Sequence, residues 1–165
     1  MVTLAAVVRR VESADGRALV RFEPACYQAL QQGRGGLYAL RPTEILEHIA
    51  SANLCSPDTA RMIFATSWGL YQDMGFELYG ELCVSPDVVP SIAQWLGDAG
   101  LQDRMFAKWC SSHGFHAEVP LPDDPHLQAF ARLYNGAGQV DSYVALMKKA
   151  EAALAMLPCR QLERS

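Results

Sequence analysis

Prolines and glycines cut this chain into short pieces, and that limits what it can build. Nine prolines and twelve glycines fall between segments of patterned apolar residues, so they read as helix punctuation and not as linkers between domains. No apolar run approaches the ~20 residues that a membrane-spanning helix needs. Residues 2–13 place Leu4, Val7, Val8 and Val11 on one helical face, and the turn Ser13-Ala14-Asp15-Gly16 is expected to stop that helix. Ala18-Leu19-Val20-Arg21-Phe22-Glu23 reads as a short strand ended by Pro24. Pro42-Thr43-Glu44 opens a helix with Ile45, Leu46 and Ile49 as its buried stripe. Ser56-Pro57-Asp58 opens another, with serine as the cap and proline in the first position. A third helix is predicted from near Ser85-Pro86-Asp87 to Leu96, broken at Gly97 and Gly100 and resuming from Leu101 to about Cys110. Pro120-Leu121-Pro122-Asp123-Asp124-Pro125 is the clearest loop, and it leads into a helix ending at Tyr134-Asn135-Gly136. Residues 140–156 form a last amphipathic helix carrying Tyr143, Val144, Met147, Ala150 and Leu154. The pattern predicts a mostly α fold, one domain over residues 1–165, with a small extended segment after the first helix.

A chain of 165 residues can bury about two-thirds of its unfolded surface and needs no metal or disulfide to stay folded. Its formal net charge of −4 lacks the basic footprint of a nucleic-acid binder. The same balance gives no long-range attraction to an anionic surface, so binding to one has to come from a short-range cleft. The five cysteines, Cys26, Cys55, Cys83, Cys110 and Cys159, form no CxxC pair; they read as buried free thiols of a chain made in a reducing cytoplasm. The N-terminus puts its apolar run before Arg9 and Arg10, the reverse of a secretory signal. Cys110, His113 and His116 are spaced Cys-x-x-His-x-x-His, yet they lack the framework of a zinc site. Gly33-Arg34-Gly35-Gly36 has no Gly-Lys-Ser/Thr ending and reads as a flexible connection, not a phosphate loop. Neither metal nor cofactor is expected, and the sequence sets no oligomeric state.

Three blocks carry chemistry. Glu12 ends an apolar helix beside a turn; such a glutamate is either a solvated surface residue or a carboxyl facing a cleft. Glycoside hydrolysis needs a carboxylic acid that keeps its proton, and apolar surroundings favour the protonated form. The central block is Ser67-Trp68-Gly69-Leu70-Tyr71-Gln72-Asp73-Met74-Gly75-Phe76. There Gly69 permits close backbone approach, and Ser67 and Gln72 bring short hydrogen-bonding groups. Trp68 and Tyr71 suit either sugar rings or core packing, as at the start of an aromatic helix. The late block ends in Tyr134-Asn135-Gly136, where asparagine and glycine also make an ordinary helix terminus.

Val11-Glu12-Ser13, the Ser67–Phe76 block and Phe130-Ala131-Arg132-Leu133-Tyr134-Asn135-Gly136, in that order, resemble the N-acetylmuramidase domain of bacteriophage endolysins, a lysozyme-like family. The resemblance runs from about Leu4 to Leu154. It implies a lysozyme-like, mostly α domain that cleaves the β-1,4 bond between N-acetylmuramic acid and N-acetylglucosamine, its partner being the glycan strands of peptidoglycan. It makes Glu12 the general acid. Ser67, Gln72, Tyr134 and Asn135 would position sugar or water, and Trp68 and Tyr71 would line the groove. Asp73 stands where the family has an apolar residue, which makes it a candidate second carboxylate. The turn after Ser13 is shorter than the family's, and Pro24-Ala25-Cys26 replaces a stretch that usually leads to a histidine. Two further readings follow: a degenerate, non-catalytic domain that binds glycan or a partner, and a lytic transglycosylase. With neither a signal peptide nor a membrane segment expected, such a protein is made in the cytoplasm and reaches the wall after holin- or secretion-type release.

Overall fold

A computed structural model describes residues 2–12, 19–80 and 89–157. The chain is mostly helical with one small antiparallel sheet, the architecture the punctuation predicts. It divides into two units, one of Met1–Gly16 with Phe106–Ser165 and one of Arg17–Met105. No helix among the described residues is long and apolar enough to cross a membrane.

The first unit holds α1 (Leu4–Glu12), the later part of α7 (Ala99–Ser112), α8 (Asp124–Asn135) and α9 (Val140–Ala155). The first amides of α1 have no partner within the helix. Leu4 and Ala5 therefore donate to the carbonyls of Val119 and Ala117 at 3.0 and 2.9 Å, and Ala6 donates to the Thr3 hydroxyl at 3.2 Å. Helix α8 starts at Asp123, whose carboxylate accepts from the His126 amide at 3.0 Å. It ends at Gly136, where φ is +82°, a value that costs glycine nothing. Helices α1 and α8 both pack on α9, which buries Val140, Tyr143, Met147, Ala150 and Leu154 at alternating spacings of three and four. Phe130 is the hub of the aromatic core, with Phe106, Trp109 and Phe115 edge-on and Tyr134 stacked on it. Edge-on and offset rings of this kind suit the ring quadrupoles.

The second unit holds β1 (Leu19–Phe22), α2 (Pro24–Gln31), α3 (Pro42–Asn53), α4 (Pro57–Phe64), β2 (Thr66–Gly69), β3 (Asp73–Met74), α5 (Gly75–Tyr79), α6 (Ile92–Gly97) and the start of α7. Pro24, Pro42 and Pro57 each occupy a helix's first turn, where the missing N–H is harmless. Ser56 caps α4 by accepting from the Thr59 amide at 3.2 Å. The strand order is β1-β2-β3, with Leu19 opposite Gly69, Phe22 opposite Thr66 and Trp68 opposite Asp73. Asn53 ties three helices: its amide nitrogen donates to the Tyr79 hydroxyl at 2.9 Å and its oxygen accepts from the Ile92 amide at 2.8 Å.

One open reading is closed and one expectation is corrected. Ser67-Trp68-Gly69 does not begin a helix; it lies in β2, the middle strand. Gly100 does not break a helix either, because α7 already runs through it from Ala99. The expected helix start at Ser85-Pro86-Asp87 and the turn Ser13–Gly16 lie outside the described residues. The described helix there, α6, is capped by Ser91, which accepts from the Gln94 amide at 3.3 Å. Cys26, Cys55 and Cys110 are free thiols, with Cys26 and Cys110 buried; Cys83 and Cys159 lie outside the described residues.

Candidate functional site

Leu4, Val8 and Glu12 recur every fourth residue along α1, so the stripe that puts the two apolar residues in the core carries the glutamate with them. Glu12 is only 9% exposed, not a solvated surface residue. Its carboxyl meets α9. Tyr143 sits on the buried stripe of that helix between Val140 and Met147, and its hydroxyl donates to Glu12 Oε1 at 2.7 Å across 131 residues of sequence. Tyr143 is 3% exposed. Burial, then the charge of Glu12 and the hydrogen bond to it, push the Tyr143 hydroxyl far above its ordinary value. It therefore stays a donor throughout the pH range in which proteins work.

The late motif belongs to the same unit. Tyr134 stacks on Phe130 at 5.1 Å between ring centroids and lies 5.9 Å from the Tyr143 ring. Phe130, Tyr134 and Tyr143 thus form a continuous aromatic path to the hydroxyl that holds Glu12. Asn135, by contrast, is exposed in the last position of α8.

The central block falls in the other unit. Ser67 is buried in β2, and its hydroxyl donates to the Arg21 carbonyl of β1 at 3.3 Å. Trp68 is half-buried, and its indole N–H donates to the Ile63 carbonyl at 3.1 Å. Tyr71 is 1% exposed and donates its hydroxyl to Asp103 Oδ1 at 2.7 Å. Its ring is core, with no open face. Gln72 adopts a positive φ of 54° in the turn between β2 and β3. Its Nε2 donates to the carbonyls of Leu19 and Gly69, each at 2.9 Å, which locks the turn onto β1. Its Oε1 is buried with no hydrogen-bond partner, so one strong acceptor in this turn is left over. Asp73 is 4% exposed on β3. Glu77, the other acidic residue near the block, accepts from the Met74 amide at 3.0 Å and closes the first turn of α5.

Of the expected residues, the structure therefore brings Glu12 and Tyr134 around one aromatic core, and Ser67, Trp68, Tyr71, Gln72 and Asp73 around one small sheet. Sequence reading assigned no role to Tyr143 beside Glu12, because its spacing with Val140 and Met147 is that of a core residue. Among the described residues no three His, Cys, Asp or Glu side chains converge as metal ligands. Cys110 is buried and His113 is stacked on Trp109 with centroids 4.3 Å apart.

Compared with curated proteins, the chain is 34% identical over 151 residues to the endolysin of Enterobacteria phage PRD1, an alignment covering 90% of this chain and 93% of that protein. No family model matches the chain. No solved structure matches it.

Proposed function

The chain belongs to the endolysin family, and from that premise we propose that it hydrolyses the β-1,4 bond between N-acetylmuramic acid and N-acetylglucosamine in peptidoglycan, with Glu12 as general acid. The observation that carries this reading is the placement of Glu12. A carboxyl at the end of an apolar helix face, buried and held by a tyrosine hydroxyl, is the environment an acid catalyst requires: desolvation disfavours its ionised form, and its direction is fixed. In the reaction Glu12 gives its proton to the leaving sugar's oxygen as the glycosidic bond breaks. Water supplies the hydroxyl to the anomeric carbon, and its remaining proton restores the carboxyl.

Asp73 is the proposed second carboxylate, which stabilises the developing oxocarbenium charge or activates water. Tyr134 and Asn135 position sugar or water, with Trp68 at the groove. Ser67 and Gln72 act by holding β2 and the β2–β3 turn against β1, which sets the wall on which sugar or water is positioned. Tyr71 anchors that turn through its hydrogen bond to Asp103. In this reading the chain works as a single catalytic domain, and it reaches the wall from the cytoplasm by holin- or secretion-type release.

The test is digestion of purified peptidoglycan by the wild type and Glu12→Gln, with products identified by mass spectrometry. Reducing muropeptides ending in N-acetylmuramic acid, lost in the variant, are the expected result. Anhydro ends point instead to a lytic transglycosylase. Folded wild type that releases nothing from several wall types overturns the enzyme reading in favour of a glycan- or partner-binding domain. For Asp73→Asn the expected loss of rate is about a hundredfold or more; near-wild-type turnover by that variant removes Asp73 from the site.

A further inference from the structure

We propose that Tyr143 is a positioning residue for Glu12, its hydroxyl holding the carboxyl in its working orientation. This inference rests on Glu12 being the general acid. Three observations support it. The hydrogen bond is short, 2.7 Å, and joins two buried groups on helices that pack together. The tyrosine itself is held, because its ring lies against Tyr134, which stacks on the fully buried Phe130. And the hydroxyl stays protonated, being pushed far above its ordinary value by burial and by Glu12. A phenylalanine would fill the same space in the core. The hydroxyl therefore adds something that packing does not need.

On α1, Arg9 lies one turn before Glu12 and Arg10 is exposed. On α9, Asp141, Lys148 and Lys149 are exposed, and Glu151 lines a small cavity with Leu4 at the opposite end of α1. On α8, Asp124, His126 and Arg132 are exposed. In the segment bonded to the first turn of α1, His116 and Glu118 are exposed. The Tyr143 hydroxyl donates to the Glu12 carboxyl from the buried stripe of α9.

A donated hydrogen bond favours a carboxylate over a carboxylic acid. Its loss makes Glu12 hold its proton to higher pH. Since a general acid works only while protonated, the alkaline limb of the pH–kcat profile moves upward in Tyr143→Phe. The expected shift is about one pH unit, with kcat at the optimum down about tenfold and KM within about twofold. Replacing Tyr143 with 3-fluorotyrosine keeps the ring and strengthens the donor, so the limb moves downward; this second variant tests the idea if the first does not fold. Glu12→Gln is assayed alongside on the same peptidoglycan. If Glu12→Gln stays active, the reading of Glu12 as acid fails, and this inference with it. If Glu12→Gln is dead while either Tyr143 variant, once folded, shows the wild-type limb, the positioning role alone is overturned. Limbs displaced in the two stated directions establish it.

Discussion

At Gly69 the backbone turns with φ of +82°, and an added Cβ would collide with Gln102 Oε1 and come within 3.1 Å of the Trp95 indole nitrogen. Gln102 cannot step aside cheaply. It is 1% exposed, its oxygen accepts from the Leu70 amide at 2.7 Å, and its nitrogen donates to the Trp95 carbonyl at 3.1 Å. Gly69→Ala therefore combines left-handed backbone strain with loss of a buried hydrogen bond, together about 3 kcal/mol of stability. Urea denaturation checks this, and a loss below about 0.5 kcal/mol would show that the turn relaxes. The close approach at Gly69 was legible from the residue type alone. Its partner was not, because Gln102 stands 33 positions away with nothing local to mark it. Cys26 illustrates the opposite case. Its burial was readable from cysteine usage, and burial, then the charge of Glu23, raises its thiol to about 11. With so little thiolate at neutral pH, Cys26 is expected to stay unalkylated when native protein is treated with iodoacetamide and mapped by mass spectrometry. Rapid labelling would mean that α2 opens.

At the scale of elements, several helix starts were written in capping signals and β1 (Leu19–Phe22) in the extended run before Pro24, but β2 and β3 were not. Ser56-Pro57-Asp58 names its own helix start, because a serine oxygen and a ring with no N–H satisfy the orphan amides locally. Strand β2 is only four residues long, Thr66–Gly69, too short to show alternation. Its extended form depends on pairing with β1, where Ser67 stands opposite Arg21, a partner 46 residues back. Such pairing is invisible in a local window, so Ser67 and Trp68 were open to a helical reading. Helix α8 permits a direct test of capping. The Asp123 carboxyl is held below its ordinary value by hydrogen bonds from the His126 side chain, first, and the His126 amide. Stabilisation from a lowered carboxyl is whole above its ordinary value and disappears as pH falls through the lowered one. Asp123→Ala should therefore unfold at a lower temperature than wild type at pH 7. The gap should close as the pH drops below the carboxylate range. Calorimetry across that range decides the point, and a gap independent of pH would show that charge plays no part in the cap.

For the whole molecule, composition and punctuation foretold a mostly helical protein, and the family blocks pointed to peptidoglycan. What they left open was how a chain of net charge −4 works on a wall that is itself anionic. Charges of one sign repel over the Debye length, which is about 30 Å at 0.01 M ionic strength and about 8 Å at 0.15 M. An enzyme that relied on long-range attraction would lose on-rate as salt is added. This one starts with repulsion, so added salt removes an obstacle, and under the proposed function productive contact comes from short-range groups and not from net charge. The initial rate of peptidoglycan solubilisation should therefore hold or rise, by no more than a few-fold, between about 0.01 and 0.15 M salt. The rise should appear in kcat/KM, with kcat at saturation unchanged, because screening acts on approach and not on the buried carboxyl. A steep fall with salt would reveal that a local cationic patch captures the wall despite the overall charge. A change confined to kcat would place the salt effect at the chemical step and not in the encounter.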